Sequence, residues 1–487
     1  MSGEFSTHKS DNPFRHCNHT LVASDIHLTT AEPVHPKDKL WKRYKQKEFF
    51  IDAAFEAFLL AVQKDVFGDK IELVLSGDIF DFDGVTQLPL RQKFFMTWYE
   101  KRRGLDPEER KSRFKMKLII EDHPIFFRSL KNFIKNGNRV IFIIGNHDLE
   151  LHWDSVKRQV LGALELNSEE RERVRFNNWF YISNEDTLIE HGNQHDSHNN
   201  CQNPINPIIS GRIKKRIRLP FGSIANRFMM NGMGYFNPHS DRSYIMTFTQ
   251  YLKFALKHLL KREPLIMWTW FWGAVATLYV TFREGLTPEV KDPLRVEDQV
   301  EEIAFNSNAT PKIVRALKEI HAPAAIFDPL GVMRELWLDR AFIVAISAVI
   351  VFEIMTLINL IVPVSFFWTF ALFALFIPFF IFYFKSIRSK VIVPLRFYER
   401  AAKLGARITG VKRVIYGHTH EFMHTNFGGI EYLNSGTWSP AFDDIECTKP
   451  SCPKTFVWIK PDPNDPEHKA RVANVYQWKD HQIGLLC

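Results

Sequence analysis

Cysteine is scarce and scattered. The five are Cys17, Cys201, Cys447, Cys452 and Cys487, and none falls in a metal-binding spacing. An odd count does not suit a disulfide framework, so a reducing compartment is expected. Met1 to His19 lacks an apolar core, so no cleavable signal peptide is read there and the first domain is expected to remain in the cytoplasm. The chain is not poor in apolar residues: 45% hydrophobic and 24% charged content excludes a disordered protein, and 487 residues allow two or three domains. The net charge of +8 favours anionic partners such as nucleic acid, phospholipid headgroups or a phosphorylated substrate. Ordinary solvated surface accounts for most of the lysines and arginines.

What the chain does have is one design used repeatedly. Val140 to Ile144 is an apolar, β-branched run of the kind a strand buried on both faces shows, and it breaks at Gly145 to deliver Asn146, His147 and Asp148. His19 to Ser24 reads as a strand ending at Asp25-Ile26-His27, with a turn cap as the plain alternative for that pair. Ile71 to Leu75 is a second buried strand ending at Ser76-Gly77-Asp78, with Asp81 and Asp83 beyond it as supporting loop groups. Lys47 to Val66 and Ile119 to Asn136 carry helical spacing between these strands. Thr187 to Glu190 ends at His191-Gly192-Asn193-Gln194-His195-Asp196, and Arg413 to Tyr416 ends at Gly417-His418-Thr419-His420. Alternating strands and helices imply a parallel sheet, and polar groups past strand ends sit where open α/β sheets place ligands.

Asp25, His27, Asp78, Asn146, His191, His418 and His420 are therefore expected at one sheet edge. Mixed nitrogen and oxygen donors suit two borderline divalent ions, manganese first among zinc, iron, cobalt and nickel, over magnesium or calcium. Two such ions bring more positive charge than two carboxylates cancel, which favours phosphate oxygens and lowers the pKa of a bound water to ~7 in favourable cases. His123, His152, His321 and His424 read as packing or surface histidines.

The ordered motifs Asp-x-His, Gly-Asp, Gly-Asn-His-Asp, His-Gly and Gly-His-x-His resemble the calcineurin-like metallophosphoesterase family over roughly Thr20 to Gly192 and Gly410 to Trp438. The resemblance implies an α/β fold, a four-layer αββα double β-sandwich. It implies one metal on Asp25, His27 and His420, a second on Asn146, His191 and His418, and Asp78 as the bridge. It implies catalysis by His147, which contacts the scissile phosphate, and by Asp148, which orients His147. His195 and Asp196 are candidate substrate-binding residues. The C-terminal strands, Ile430 to Asn434, Thr455 to Ile459 and Ala470 to Gln477, are assigned to the second sheet.

Between His191 and His418 lies a long interruption. The run Gly211 to Pro220 interleaves isoleucine with basic residues, which suits a solvated helix face or an anionic membrane surface. Residues 265–282 are uncharged and Trp-rich; residues 341–362 hold one charge, Glu353; residues 364–384 are uncharged and full of Phe. At 1.5 Å per residue, ~20 helical residues cross the hydrocarbon core. Both halves of the metal site must share a compartment, so the crossings must be even in number. Arg334, Arg340, Lys385, Arg388 and Lys390 flank 341–384 and place both its ends in the cytoplasm. Lys261, Arg262 and Arg283 flank 265–282, whose tryptophans suit the interface. Glu353 should face protein or a partner chain.

The expected organisation is residues 1–193 and 401–487 as two halves of the metallophosphoesterase domain. Residues 194–400 form a helical lid and membrane insertion, with a transmembrane hairpin at 341–384. The placement of the lid resembles the UDP-2,3-diacylglucosamine diphosphatases, with departures at His147, where many of that branch carry arginine, and at Asn193. The expectation is a multi-pass membrane hydrolase acting on a lipid-linked pyrophosphate or phosphodiester, with no nucleic-acid partner and with self-association left open. The alternatives are a tethered phosphodiesterase or phosphatase on a soluble nucleotide, or a non-catalytic scaffold.

Overall fold

In the computed structural model the described residues are 14, 16–37, 39–66, 68–91, 93–211, 214–234, 253, 256–257, 266–290, 293–365, 367–386, 395–444, 447–451, 453–465 and 470–487. The expected roles of Arg212, Ile213, Lys261, Arg262, Leu265, Arg388 and Lys390 lie outside them.

β1 (His19–Ala23), β2 (Ile71–Ser76), β3 (Arg139–Ile143) and β4 (Val174–Asn177) are parallel neighbours in that order. Their apolar runs are buried on both faces, as parallel strands under helices must be. β5 (Phe180–Ser183) and β6 (Thr187–Glu190) open a second sheet. The insertion contributes the short pair β7 (Ile208–Ile209) and β8 (Arg216–Ile217). β9 (Arg413–Tyr416), β10 (Phe422–Phe427) and β11 (Ile430–Ser435) complete the second sheet, in the order β10-β11-β9-β6-β5. β12 (Thr455–Pro461), β13 (Arg471–Lys479) and β14 (Gln482–Leu485) extend the first, in the order β14-β13-β12-β1-β2-β3-β4. The assignment of three C-terminal strands to the second sheet thus holds for β11 alone. β12 pairs antiparallel with β1, burying Val457 and Ile459 between the sheets and Phe456 and Trp458 on the outer face.

Three apolar layers account for the architecture. Val22, Val74, Ile141, Tyr181, Ile189, Ile415, Leu433 and Val457 pack between the two sheets. The outer face of the first sheet is covered by helices Asp52–Asp65, Glu109–Asp122, Pro124–Lys135 and Asp154–Ala163. The outer face of the second is covered by Pro293–Asn306, Pro311–Glu319 and Leu395–Thr409. The result is four layers, αββα. Part of the insertion is therefore an outer wall of the sandwich.

Two expected helices are cut shorter than their spacing suggested. Ile119 to Asn136 is interrupted at His123-Pro124, because proline disfavours helical geometry in the residue before it. Phe50 lies before the first helix, which begins at Asp52.

The insertion holds two different kinds of helix. Ile266–Leu286 buries a stripe of Ala274, Thr277, Thr281 and Glu284, and turns Trp268, Trp272, Tyr279 and Phe282 outward. Leu338–Ile361 is long and apolar enough to cross a bilayer, and only 17% of its apolar window is buried. It is the one such helix among the described residues. The second arm is two shorter helices, Phe367–Ala374 and Ile377–Ser386. Pro378 explains the break: it has no amide to donate to Ala374 and its ring crowds that carbonyl. The Tyr383 hydroxyl donates to Asp339 at 2.9 Å, closing the foot of the two arms. Glu353 is exposed and does not face the rest of the chain, which leaves the partner-chain alternative of the expectation.

The basic run also takes an unexpected place. Arg216 pairs with Glu284, and Arg218 with Glu289 at 3.1 Å. Both arginines are buried inside the lid, with Ile217 fully buried between them, so neither meets a membrane surface. Lys214 and Lys215 remain exposed.

Candidate metal centre

Five parallel strands from two sheets deliver their C-terminal ends to one place. The pairing continues past the strand ends: Asp25 N donates to Gly77 O at 3.1 Å, His27 N to Asp78 O at 2.9 Å, and Gly417 N to His191 O at 2.8 Å. These bonds fasten neighbouring loops to one another before any ligand is considered. Two glycines make the convergence possible. A Cβ on Gly77 would lie 2.4 Å from the His191 ring, and one on Gly145 would lie 2.3 Å from Asp78 Oδ1.

The side chains form two adjoining groups, Asp25–His27–His420 and Asp78–His191–His418, each with donor atoms within 4.8 Å of one another. His420 Nε2 is 3.1 Å from Asp25 Oδ1, and His191 Nε2 is 3.2 Å from Asp78 Oδ2. Both Asp25 Oδ1 and Asp78 Oδ2 lie 4.0 Å from His27 Nε2, so the two groups share a border. Asn146 belongs there by its neighbours, since His147 N donates to Asp78 Oδ1 at 2.8 Å and Gly145 abuts the same carboxylate.

Three observations fit this set to cations. Asn146 Oδ1 is buried with no hydrogen-bond partner among the described residues, and Asp25 Oδ1 and His191 Nε2 are buried facing other candidate ligands, a costly arrangement that a metal would relieve. His191 Nδ1 lies 2.8 Å from Ser76 O, which fixes the tautomer that leaves Nε2 a lone pair. Asp25, His27, Asp78, His418 and His420 all have φ between 53° and 67°. Left-handed backbone costs non-glycine residues roughly 1–3 kcal/mol each and is retained where surrounding structure enforces it, often at functional sites.

Residues 19–215 match the calcineurin-like phosphoesterase family. Over those residues the chain is similar to a calcineurin-like phosphoesterase domain. The family's members are metal-dependent phosphoester hydrolases that work with divalent ions, typically two. No curated protein matches the chain. A solved structure, vacuolar protein sorting 29 from Cryptosporidium parvum, is similar at 23% identity over 18% of this chain and 41% of its own, with a TM-score of 0.14. The chain thus spans less than half of that protein.

Within the metallophosphoesterase domain, several supporting roles differ from expectation. His147 is faced by Asp81, whose Oδ1 lies 3.2 Å from its Nδ1, with Asp83 at 3.8 Å. Asp148 does something else: its two oxygens accept from Ile79 N and Gly145 N and pin the metal-site loops. Burial opposes protonation of His147, but Asp78 and then Asp81 outweigh it and push its pKa up to about 10. Burial, reinforced by Asp78, pushes Asp148 up to about 7. His191 is raised to about 9 by Asp78 and Asp25 against the opposing effect of burial. A divalent ion bound at His191 Nε2 would displace the proton there.

Both expected substrate residues, His195 and Asp196, are buried and face other side chains of the domain. His195 Nε2 lies 2.9 Å from Glu190 Oε2 and 3.2 Å from the Tyr416 hydroxyl, buried above the second sheet. Asp196 Oδ2 lies 3.1 Å from His418 Nε2, leaving His418 Nδ1 as the atom for a metal. Sequence reasoning missed Asn434 and Thr437. Asn434 Nδ2 donates to Gly417 O at 2.8 Å, and Thr437 Oγ1 donates to Asp25 O at 3.0 Å. Their signal was present, because Asn434-Ser-Gly-Thr437 is one more polar cluster at a strand exit. The lid reaches the centre too: Ser223 Oγ donates to Asn146 O at 3.2 Å, and Asn231 Nδ2 to Asp83 O at 2.8 Å. His152 and His321 are interior histidines, and burial drives the pKa of His152 down to about 3.

Proposed function

We propose that this protein is a membrane-seated phosphoesterase that hydrolyses a lipid-linked pyrophosphate or phosphodiester, of the UDP-2,3-diacylglucosamine kind or another phospholipid. The observation that carries the reading is the union of a buried cation site with an exposed apolar hairpin in one chain. Asp25, His27 and His420 would hold one ion. Asn146, His191 and His418 would hold the other, with Asp78 shared. Divalent ions there, manganese first, would supply Lewis acidity toward the phosphoryl oxygens and lower the pKa of the attacking water.

The chain's own residues do the rest. His147, charged and held by Asp81, protonates the leaving oxygen. Asp148 fixes the loops that carry Asp78 and Asn146. The lid, bonded to the backbone of Asn146 and Asp83, limits access of bulk water. Leu338–Ile361 and the Pro378-broken arm make two crossings, which keep both halves of the domain on the cytoplasmic side. Glu353, exposed in the first arm, would face a partner chain, a second copy included.

The test is a screen of membrane lipid extracts with the Mn²⁺-loaded protein, followed by acyl-chain analogues of the hit. Turnover should rise with chain length. Equal turnover of short-chain and long-chain analogues would remove the lipid reading and leave a tethered enzyme on a soluble nucleotide. Purified, metal-loaded protein that cleaves no phosphoester at all would point to a scaffold.

A further inference from the structure

A loop leaves the active site and returns to it between Val85 and Gly104. The two ends meet: a Cβ on Gly104 would lie 3.1 Å from Val85 O. The loop therefore hangs from the segment that holds His147, since Gly84 N donates to Asp81 Oδ1 at 2.8 Å and Asp81 faces His147. Compact loops with joined ends are frequent carriers of function.

Its outer surface is apolar and basic at once. Leu90 is fully exposed, and Phe95, Trp98 and Tyr99 are each more than half exposed. Arg91, Lys93, Lys101 and Arg102 are exposed among them, and the Arg102 guanidinium sits 4.5 Å from the centre of the Trp98 ring. The one acid, Glu100, is turned inward, where it caps the helix Trp98–Arg103 at Thr97 and bonds Lys111 Nζ at 2.6 Å. Every exposed charge in 90–103 is thus positive. Aromatic rings beside arginine and lysine are the chemistry of an anionic membrane surface, where rings enter the headgroup layer and cations pair with phosphates.

The patch is continuous with the apolar part of the lid. Tyr99 packs against Phe228 with ring centres 6.0 Å apart. On the neighbouring backbone, Gly273 brings in the helix that exposes Trp268 and Trp272 (its added Cβ would lie 2.8 Å from Phe228 O).

We infer that residues 90–103 dock on an anionic lipid bilayer and hold the mouth of the metal site at the headgroup plane. This rests on the membrane-seated reading and deepens it: the catalytic half touches the bilayer directly, in addition to the hairpin. A lipid-linked phosphate could then reach the metals without leaving its leaflet.

The experiment is amide hydrogen exchange on the full chain in nanodiscs, either of phosphatidylcholine alone or of phosphatidylcholine with phosphatidylglycerol. Residues 90–103 should exchange about tenfold more slowly in the anionic discs, following the attraction of each basic residue to anionic lipid. The triple variant Arg91→Glu, Lys101→Glu, Arg102→Glu should abolish the difference. The lipid swap itself needs no substitution, so the result does not depend on that variant folding. Equal exchange in both discs would overturn the inference. So would slowing that appears only when native membrane proteins are added, since the partner would then be a protein. Protection of residues 341–384 in both discs reports the anchoring separately, so either reading can fall alone.

Discussion

The metal centre and the hairpin are opposites in how they treat polarity. At the centre, carboxylates and imidazoles are buried, with Asp25 and His191 at 0% and 1% exposure. In the hairpin, apolar side chains are exposed, with Ile361 at 85% and Phe382 at 73%. Each arrangement is costly in water alone, and the proposed function supplies what would offset it: cations for the first, hydrocarbon for the second. What differs is how each is held. The centre is over-determined by backbone bonds between loops of two sheets. The hairpin is tied at its foot by Tyr383 and Asp339, while its buried residues Ser347, Val351 and Met355 line one face of the long arm.

The comparison can be broken most sharply at the shared carboxylate. Asp78→Ala should strip bound metal and lower kcat/KM on bis(p-nitrophenyl) phosphate by on the order of 10⁴, since several kcal/mol of charge stabilisation go with the ions. Full metal content in that variant, read by elemental mass spectrometry, would reject the shared-ligand assignment. His147→Ala should retain metal and lose about 10³ in kcat, within the range of a general acid. Metal loss would make it a ligand instead.

Asp81→Asn should cost about 10- to 100-fold, as expected for a group that orients another. Metal content should stay intact, and the basic limb of the pH–rate profile should move to lower pH, because His147 loses a carboxylate that raises its pKa. An unmoved profile would return the orienting role to Asp148. Deleting 341–384, which keeps the buried Leu338 in place, should release the protein from membranes and leave turnover of the soluble substrate unchanged. Retention on membranes would move the anchor to the helix Ile266–Leu286.

The smallest effect concerns pH. In metal-stripped protein the folded pKa values of His147 and His191 are raised from 6.5 to about 10 and about 9. Their contribution to stability is fully present below 6.5 and disappears as pH climbs through 9 to 10. Melting temperature should fall across that window in EDTA, and the fall should shrink once Mn²⁺ is supplied. A melting temperature independent of pH in EDTA would show that these pairs contribute nothing.

Much of the centre could be read from the sequence because its grammar is local. A buried apolar run followed within two residues by glycine and a polar group announces a strand and what stands at its end; Asp78, Asn146, His191 and His418 obey that rule, and Asp25 follows its strand through Ser24 without a glycine. The apolarity of 338–361 is local too, since a helix of that length is written in consecutive residues. Partnership is not local. Asp81 faces His147, Asp196 holds His418, and Arg216 is buried against Glu284, although adjacency in sequence favoured Asp148, a substrate role and a membrane role. β12 and β13 joined the first sheet rather than the second because β1 offered an open edge, a fact that no residue of β12 carries. Sequence determined which groups stand at the strand ends, because backbone geometry sets that over a few residues. Only the tertiary structure decided which of those groups touch, because a hydrogen bond of about 3 Å depends on contacts made hundreds of residues apart.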